Sequence, residues 1–360
     1  MLMKVNDPAQ GARNLLCNCA EARPGERVLI AYEPDVLGHY ATDAVRAVRE
    51  AGEDLGLDVA LVDVGFRPHA PRLVGELRQE MARADIVVFL ARLGDQLRFS
   101  EMPQGQRIIV SYALDGALFA SRFATTHHRA MVALKETVDT AFRTAQIVRV
   151  TCAAGTDFAG RPAMPEGKGA DTTIRRFPMS VFQPVPAHSF SGRVALCGFL
   201  TGTGSLYYDD YTLEFAGPVH ALFRDGRLTS FEGAASDVAL ASAHYDAVSE
   251  RFGIDRDHIH SWHAGLHPGC GYGAPARANY ERWGSAAFGN PRLLHFHTCG
   301  QYAPGEISWN MLDPTIEIDG VPVWENGVFH AERLAGGAEI LAAYPCAAEA
   351  FAHADPRCGL

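Results

Sequence analysis

The sequence predicts an α/β domain followed by a β-rich α+β domain. Strands and helices alternate through the first part of the chain, whereas strands and glycine turn signals dominate the rest. Alternation of this kind implies parallel strands joined by right-handed crossovers. The 360 residues are enough for two domains of ordinary size. We therefore predict an open, mostly parallel sheet in residues 1–148 and a β-rich domain with a C-terminal helix in residues 149–360.

The composition excludes several classes of partner. Hydrophobic residues at 48% and charged residues at 21% are typical of a globular protein. The net charge of −10 argues against nucleic acid and anionic membranes as partners. We find no apolar run of about 18 residues and no signal-peptide core at the N-terminus, and so expect a cytoplasmic protein. The eight cysteines are scattered, which argues against a disulfide framework.

The first domain is predicted element by element from hydrophobic periodicity. Buried strands appear as short apolar runs, and helices as apolar residues at spacings of three and four. The predicted strands are Arg27–Tyr32, Asp58–Val64, Asp85–Ala91, Arg107–Tyr112 and finally Ile147–Cys152, and the predicted helices are Thr42–Ala51, Pro71–Arg83 and Thr126–Ala145.

The first domain carries no nucleotide-binding motif. Glu33-Pro34-Asp35 follows the first strand, where a dinucleotide fold would have Gly-x-Gly-x-x-Gly. A Walker phosphate loop is also absent from the sequence. The prediction is therefore a Rossmann-like sheet that holds no nucleotide cofactor.

The second domain is predicted from turn signals. A Gly- and Pro-rich loop over 160–171 precedes a series of short strands. Asp225-Gly226, Asp319-Gly320 and Asn326-Gly327 each predict a tight β-hairpin. Helices are expected at Ala235–Phe252 and Ala338–Ala352.

Six of the 15 histidines fall between positions 258 and 297. In a strand, residues two apart share a face, so His258 and His260 belong together, and Ser261 faces the other way with His263. His267 lies before Pro268-Gly269 and so in a turn. Neutral imidazole is the commonest ligand for transition metals. A structural role is the better explanation for each histidine taken singly, but not for all six together. We expect a functional site in this stretch.

Two further strands carry polar residues in phase. His295 and His297 share one strand face, as do Glu306, Ser308 and Asn310. Glu306 with two histidines would form the facial triad of non-haem iron sites, while a solvated carboxylate is the alternative.

Other candidates follow predicted strands or lie in polar loops. Asp157 and the pair Arg92 and Asp95 each follow a strand, at the edge where α/β sites open. Tyr208 lies in a polar-aromatic loop suited to a ring-shaped substrate. The sequence has neither a Gly-x-Ser-x-Gly elbow nor a His-Glu-x-x-His helix.

Three segments resemble the M29 aminopeptidase (aminopeptidase T-like) family, and the length is nearer to its 2,5-dihydroxypyridine 5,6-dioxygenase-like branch. They are Val150-Thr-Cys-Ala-Ala-Gly-Thr-Asp157-Phe, Gly265-Leu-His-Pro268-Gly and Asp313-Pro-Thr-Ile-Glu-Ile-Asp319-Gly. The resemblance implies an α/β domain, a β-rich metal-binding domain, and assembly as a homodimer or larger oligomer.

The resemblance also implies metal ligands at positions that this chain keeps only in part. Ser261 and Ser308 stand where the family has ligands, and Glu306 alone keeps ligand chemistry. A serine hydroxyl is a poor ligand for a divalent transition metal at neutral pH. Either neighbouring histidines complete a rebuilt site, or the metal is gone and the pocket performs acid–base chemistry.

The leading interpretation is an Fe(II)-dependent, ring-cleaving, dioxygenase-like enzyme acting on a small polar, hydroxylated heteroaromatic substrate, with Zn or Mn as other metals. A metallo-aminopeptidase is one alternative, and a metal-free enzyme or binding protein of a biosynthetic pathway is another. The residues expected to act fall into three groups: metal ligands His260, His263, His297 and Glu306; catalytic residues His263, His267 and Asp157; and substrate-binding residues Ser261, Ser308, Arg92 and Tyr208.

Overall fold

The structure is a computed structural model that describes residues 7–68, 73, 75–98, 100–165, 172–202 and 206–360. Part of the predicted helix Pro71–Arg83 and part of the predicted loop 160–171 lie outside these residues. Among the described residues, none of the helices is both long and apolar enough to cross a membrane.

The described residues form nineteen strands and eleven α-helices. The strands are β1 (Arg27–Tyr32), β2 (Asp58–Asp63), β3 (Ile86–Leu90), β4 (Arg107–Ser111), β5 (Val148–Thr151), β6 (Asp157–Gly160), β7 (Arg175–Phe177), β8 (Val185–Pro186), β9 (Ser191–Leu196), β10 (Phe199–Gly202), β11 (Thr212–Glu214), β12 (Val219–Arg224), β13 (Arg227–Glu232), β14 (Ile259–Ala264), β15 (Leu293–Cys299), β16 (Glu306–Leu312), β17 (Thr315–Ile318), β18 (Val321–Glu325) and β19 (Val328–Phe329). The helices are α1 (Pro8–Arg13), α2 (Thr42–Asp54), α3 (Gly75–Ala82), α4 (Arg92–Gln96), α5 (Gly116–Ala120), α6 (Arg122–Thr125), α7 (His128–Thr144), α8 (Ala235–Phe252), α9 (Tyr280–Ala287), α10 (Gly337–Ala343) and α11 (Pro345–Ala352).

The first sheet is parallel, with strand order β2-β1-β3-β4-β7. Strand β3 is buried along its whole length, as its run of Ile, Val, Val, Phe and Leu predicts for a central parallel strand. The fifth strand, β7, comes from beyond residue 148 and pairs with β4. The predicted strand Ile147–Cys152 instead contributes β5, which pairs antiparallel with β6 and β17 in another sheet.

Two antiparallel sheets form the rest of the molecule. The six-stranded sheet has the order β11-β10-β16-β15-β14-β8, and the eight-stranded sheet has the order β13-β12-β9-β6-β5-β17-β18-β19. Aromatic rings pack between them: Phe158 of β6 lies 5.1 Å from Phe296 of β15, and Phe223 of β12 lies 6.1 Å from Trp309 of β16. An α/β domain and a β-rich domain are thus both present, which confirms the predicted fold class.

The three predicted hairpins are confirmed. Strands β12–β13, β17–β18 and β18–β19 are joined antiparallel through Asp225-Gly226, Asp319-Gly320 and Asn326-Gly327. Both residues of each pair have positive φ, between 47° and 83°, as a type I′ turn requires.

The predicted C-terminal helix is two helices, α10 and α11. Pro345 opens α11, because a proline ring prevents the preceding residue, Tyr344, from continuing α10.

Candidate metal centre

The three central strands of the six-stranded sheet have one apolar and one polar face. Trp262, Phe296 and Trp309 point into the aromatic layer between the antiparallel sheets and are fully buried. Because side chains alternate along a strand, their neighbours point to the opposite face. That face carries Ser261, His263, His295, His297, Glu306, Ser308 and Asn310. His295 lies opposite His263 on one side and Asn310 on the other, and His297 lies opposite Ser261 and Ser308 in the same way.

Three histidines on the polar face converge. His263 is opposite His295 in the β14–β15 register, and His297 is one step further along the same face. Nε2 of His263 lies 2.7 Å from Nε2 of His295 and 3.3 Å from Nε2 of His297. Within the described part of the chain, these three residues are the group whose ligand atoms all lie within 4.8 Å of one another. Nitrogen ligands about 2.0–2.1 Å from one ion are separated by similar distances.

Hydrogen bonds fix which ring nitrogens face the cluster. Nδ1 of His263 lies 3.1 Å from the carbonyl oxygen of Phe182 and donates to it, so its Nε2 presents a lone pair. Nδ1 of His297 lies 3.3 Å from Oγ of Ser261 and 3.7 Å from Oε1 of Glu306. A carboxylate or carbonyl behind the second nitrogen is the usual support of a metal-ligating histidine.

All three rings are held neutral. Burial lowers the pKa of His263 to about 3, and the guanidinium groups of Arg176 and Arg98 act in the same direction. Burial, followed by the neighbouring His263, also lowers the pKa of His295 and of His297 well below the ordinary value for histidine. Neutral imidazoles whose nitrogens converge are the state in which histidine binds metal, so this donor set fits a divalent transition metal.

A cavity of about 110 Å³ opens over the histidines. Its other wall comes from the carboxyl-terminal edge of the parallel sheet, where α/β sites commonly open. Nη1 of Arg98 lies 2.6 Å from Oδ2 of Asp95, and the hydroxyl of Tyr112 donates to Oδ1 of Asp95 at 2.7 Å. The ring of Phe288 stacks on His295 at 4.1 Å. The cavity lining includes charged, histidine and aromatic side chains: Asp95, Arg98, Tyr112, Arg176, His263, Phe288, His295, His297 and Glu306.

The structure places His260 and His267 outside the histidine cluster. His260 lies at a β-bulge of β14, has no register partner, and its Nε2 contacts the carbonyl oxygen of Cys299. His267 is fully buried in the turn after β14, where its Nδ1 accepts from the backbone N–H of Gly269 and its ring packs edge-on against Phe123. Both therefore have local structural contacts.

Two other predicted site residues form ion pairs and are not part of the cavity lining. Asp157 pairs with Arg149 on the exposed surface of β5 and β6. Arg92 is buried and pairs with Glu33 at 3.0 Å and with Glu281 at 2.7 Å.

Of the remaining predicted residues, Ser261 and Ser308 lie on the histidine face, whereas Tyr208 does not line the cavity. Ser261 contacts His297, and Ser308 donates to Asn310 on the same face. Tyr208 packs against Phe252 outside the cavity lining.

His295, Arg98 and Arg176 belong to the site but were not among the residues predicted to act. His295 had a detectable signal, since it shares a strand face with His297. Arg98 and Arg176 lie far from the histidines in sequence, and the folded chain brings them to the same cavity.

The fold is similar to those of two solved structures. Neither a known protein-family profile nor a curated protein sequence matches the chain. The structure of 2,5-dihydroxypyridine dioxygenase from Pseudomonas putida KT2440 superposes with a TM-score of 0.56 at 15% identity, covering 90% of this chain and 97% of that one. Wild-type AmpT from Thermus thermophilus superposes with a TM-score of 0.50 at 13% identity, covering 89% of this chain and 98% of that one. The predicted resemblance is therefore confirmed as a shared fold that extends over nearly the whole chain.

Proposed function

We propose that the protein is a mononuclear metal-dependent enzyme acting on a small hydroxylated ring compound, in the manner of a dioxygenase. His263, His295 and His297 would hold the metal, with Fe(II) as the first choice and Zn(II) or Mn(II) as the others. The convergence of three neutral histidine nitrogens on one cavity is the observation that carries the proposal. The fold shared with a 2,5-dihydroxypyridine dioxygenase supports the choice of reaction.

A divalent metal bound there would supply a Lewis acid with open positions for a substrate hydroxyl and for oxygen. The chain's own residues do the positioning. The Phe182 carbonyl orients the ring of His263 by accepting from its Nδ1–H, and the Glu306 carboxylate lies 3.7 Å from Nδ1 of His297. Phe288 fixes the plane of His295 by stacking and gives the cavity one flat apolar wall. The aromatic layer beneath Trp262 and Phe296 keeps water away from the back of the cluster.

A metallo-aminopeptidase with two metals is less well supported. Two close metals need several carboxylates. The described cavity lining contains two, and Asp95 is already held by Arg98 and Tyr112. Glu306 remains, and it lies beside His297.

A metal-free acid–base enzyme is the second candidate, and the His297–Glu306 contact favours it. A carboxylate beside Nδ1 favours the protonated imidazole and so acts against the burial that lowers the pKa of His297, and Nε2 of this ring faces the cluster. A serine-nucleophile triad is not formed, because Ser261 and Glu306 both approach the same nitrogen, Nδ1, rather than opposite sides of the ring.

Metal analysis of untagged protein purified without oxygen tests the proposal. The wild type should carry about one equivalent of a first-row metal, and His295→Ala should lose it. His260→Ala is the matched control, since that histidine lies on the neighbouring strand but outside the cluster, and it should keep the metal. Absence of metal after incubation with Fe(II), Zn(II) and Mn(II) would reject the proposal in favour of the acid–base enzyme.

Two activity assays then separate the dioxygenase from the aminopeptidase. A dioxygenase should take up oxygen with hydroxylated heteroaromatics, whereas an aminopeptidase should release an amino acid from an aminoacyl anilide.

A further inference from the structure

The charges around the cavity indicate which substrates it prefers. The three histidines are neutral ligands, so they leave the charge of a divalent ion uncompensated. The Glu306 carboxylate lies next to Nδ1 of His297, whereas Nε2 of the same ring faces the cluster. The imidazole ring therefore stands between this carboxylate and the metal position, while Glu306 also lines the cavity. A substrate that brings its own negative charge would complete such a site.

The wall formed by the carboxyl-terminal edge of the parallel sheet carries two arginines and one carboxylate, Asp95. Arg98 and Arg176 both line the cavity and are buried or nearly so. Arg98 is held by Asp95, which accepts from it at 2.6 Å and also from Tyr112. Arg176 comes from β7, at the edge of the parallel sheet, and is 8% exposed. Its planar guanidinium matches the geometry of a carboxylate.

A surface groove beside the cavity has the same sign of charge. The groove and the cavity share Thr172 and Arg176 in their linings. The described groove lining carries five arginine or lysine side chains and three carboxylates, although the whole chain has a net charge of −10. Such a concentration of cations in an acidic protein attracts small anions towards Arg176.

The size and walls of the cavity limit the rest of the ligand. Its volume of about 110 Å³ is smaller than that of an apolar cavity of about 150 Å³ that holds benzene, so the cavity admits at most one small ring. A carboxylate on that ring would lie towards the groove, at Arg176. Phe288, Tyr112 and Tyr302 give it flat aromatic sides. A planar molecule fits better than a tetrahedral, strongly hydrated phosphate.

We propose that the cavity binds a small planar arene carboxylate, with the carboxylate paired to Arg176 and the ring directed to the histidine cluster. This inference rests on the proposed metal function and specifies its substrate class. Arg176 is a binding residue in this arrangement.

Binding of benzoate and of its uncharged analogue benzamide tests the inference. Both would be titrated calorimetrically into full-length protein that has first been shown to bind Zn(II). We expect the wild type to bind benzoate at least about tenfold more tightly than benzamide, the value of one charge-assisted hydrogen bond. Arg176→Gln should lose that preference and Arg176→Lys should keep part of it. Arg149→Gln, an exposed arginine outside both the cavity and the groove, should bind as the wild type does.

Each contrary outcome has its own meaning. Equal affinity for benzoate and benzamide, or binding of neither, would overturn the inference. A benzoate preference that persists in Arg176→Gln would assign the anion to the metal rather than to the arginine, and would also overturn it. Failure to bind any of Fe(II), Zn(II) and Mn(II) is a separate result that rejects the metal function. In that case, benzoate and benzamide binding to the metal-free protein still tests Arg176. Arg176→Lys keeps the positive charge and provides a second variant if Arg176→Gln fails to fold.

Discussion

At the scale of single residues, the site depends on what lies behind each histidine. The Phe182 carbonyl accepts a hydrogen bond from the Nδ1–H of His263, and Glu306 lies beside Nδ1 of His297. Nδ1 of His295 has no hydrogen-bond partner among the described residues, and its ring is held by stacking on Phe288. The carbonyl comes from the backbone, so Glu306 is the support that mutation can remove.

Glu306→Gln should weaken metal binding. The substitution keeps the shape of the side chain but removes the charge that favours the Nδ1–H tautomer of His297, and losses of such supports cost about 10–100-fold in metal affinity. Competitive Zn(II) titration measures the change. Ser308→Ala, two residues along the same buried strand face, is the control. Equal affinities of the two variants would show that the carboxylate does not hold His297.

A second residue-scale consequence concerns pH. Burial lowers the pKa of His267 to about 3, whereas an unfolded histidine titrates near about 6.5. Between these values the unfolded state binds a proton that the folded state does not. This contribution to stability is therefore complete above pH of about 6.5 and is lost as the pH falls towards about 3.

His267→Asn should flatten the pH dependence of unfolding. Removing one titrating group lowers the slope of unfolding free energy against pH by about 1.4 kcal/mol per pH unit between about pH 4 and 6. Urea titrations at several pH values give the slope. Phe123→Leu removes packing from the same ring without removing a proton site, so it should lower stability and leave the slope unchanged. An unchanged slope in His267→Asn would contradict the argument.

At the scale of elements, the sequence predicts features that adjacent residues decide, but not features that depend on distant residues. The hairpins at Asp225, Asp319 and Asn326 were predictable because two adjacent residues decide a type I′ turn. Strand alternation alone predicted that His263 and Ser261 share one face of their strand. The bulge at His260 and the return of β7 to the parallel sheet were not predictable, because both depend on partners distant in sequence.

The hairpin glycines differ in how crowded they are. Gly226 has a φ of +70°, and a Cβ there would lie 2.6 Å from Cα of His188. Gly320 has a φ of +83° with open space around it. Gly320→Ala should cost about 1–2 kcal/mol of unfolding free energy for the left-handed backbone alone. Gly226→Ala should cost that amount and roughly 1–3 kcal/mol more for the clash, as measured by urea unfolding. Equal costs would mean that the β12–β13 turn moves away from His188 freely.

At the scale of the whole molecule, an ion pair occupies the position where parallel sheets usually bind ligands. The strand order reverses between β1 and β3, and ligands of open α/β sheets bind in the crevice at such a point. Here Glu33 follows β1, Arg92 follows β3, and their side chains pair at 3.0 Å with almost no exposure. Glu281 of α9, from the β-rich part of the chain, contacts the same guanidinium. The crevice therefore joins the two domains, and the cavity lies beside it, at the ends of β4 and β7.

Arg92→Met should destabilise the protein by about 3–5 kcal/mol, because it leaves the Glu33 carboxylate buried without its counter-charge. Desolvation already raises the pKa of Glu33 with Arg92 in place, so the charged Glu33 carboxylate without Arg92 should strongly destabilise the folded state. The double variant Arg92→Met with Glu33→Gln removes both charges and should recover part of the loss. Arg149→Met, which breaks an exposed pair, should change little. Urea unfolding measures all three. A double variant no more stable than Arg92→Met alone would mean that the Arg92–Glu281 contact between the domains, rather than the charge on Glu33, accounts for the loss.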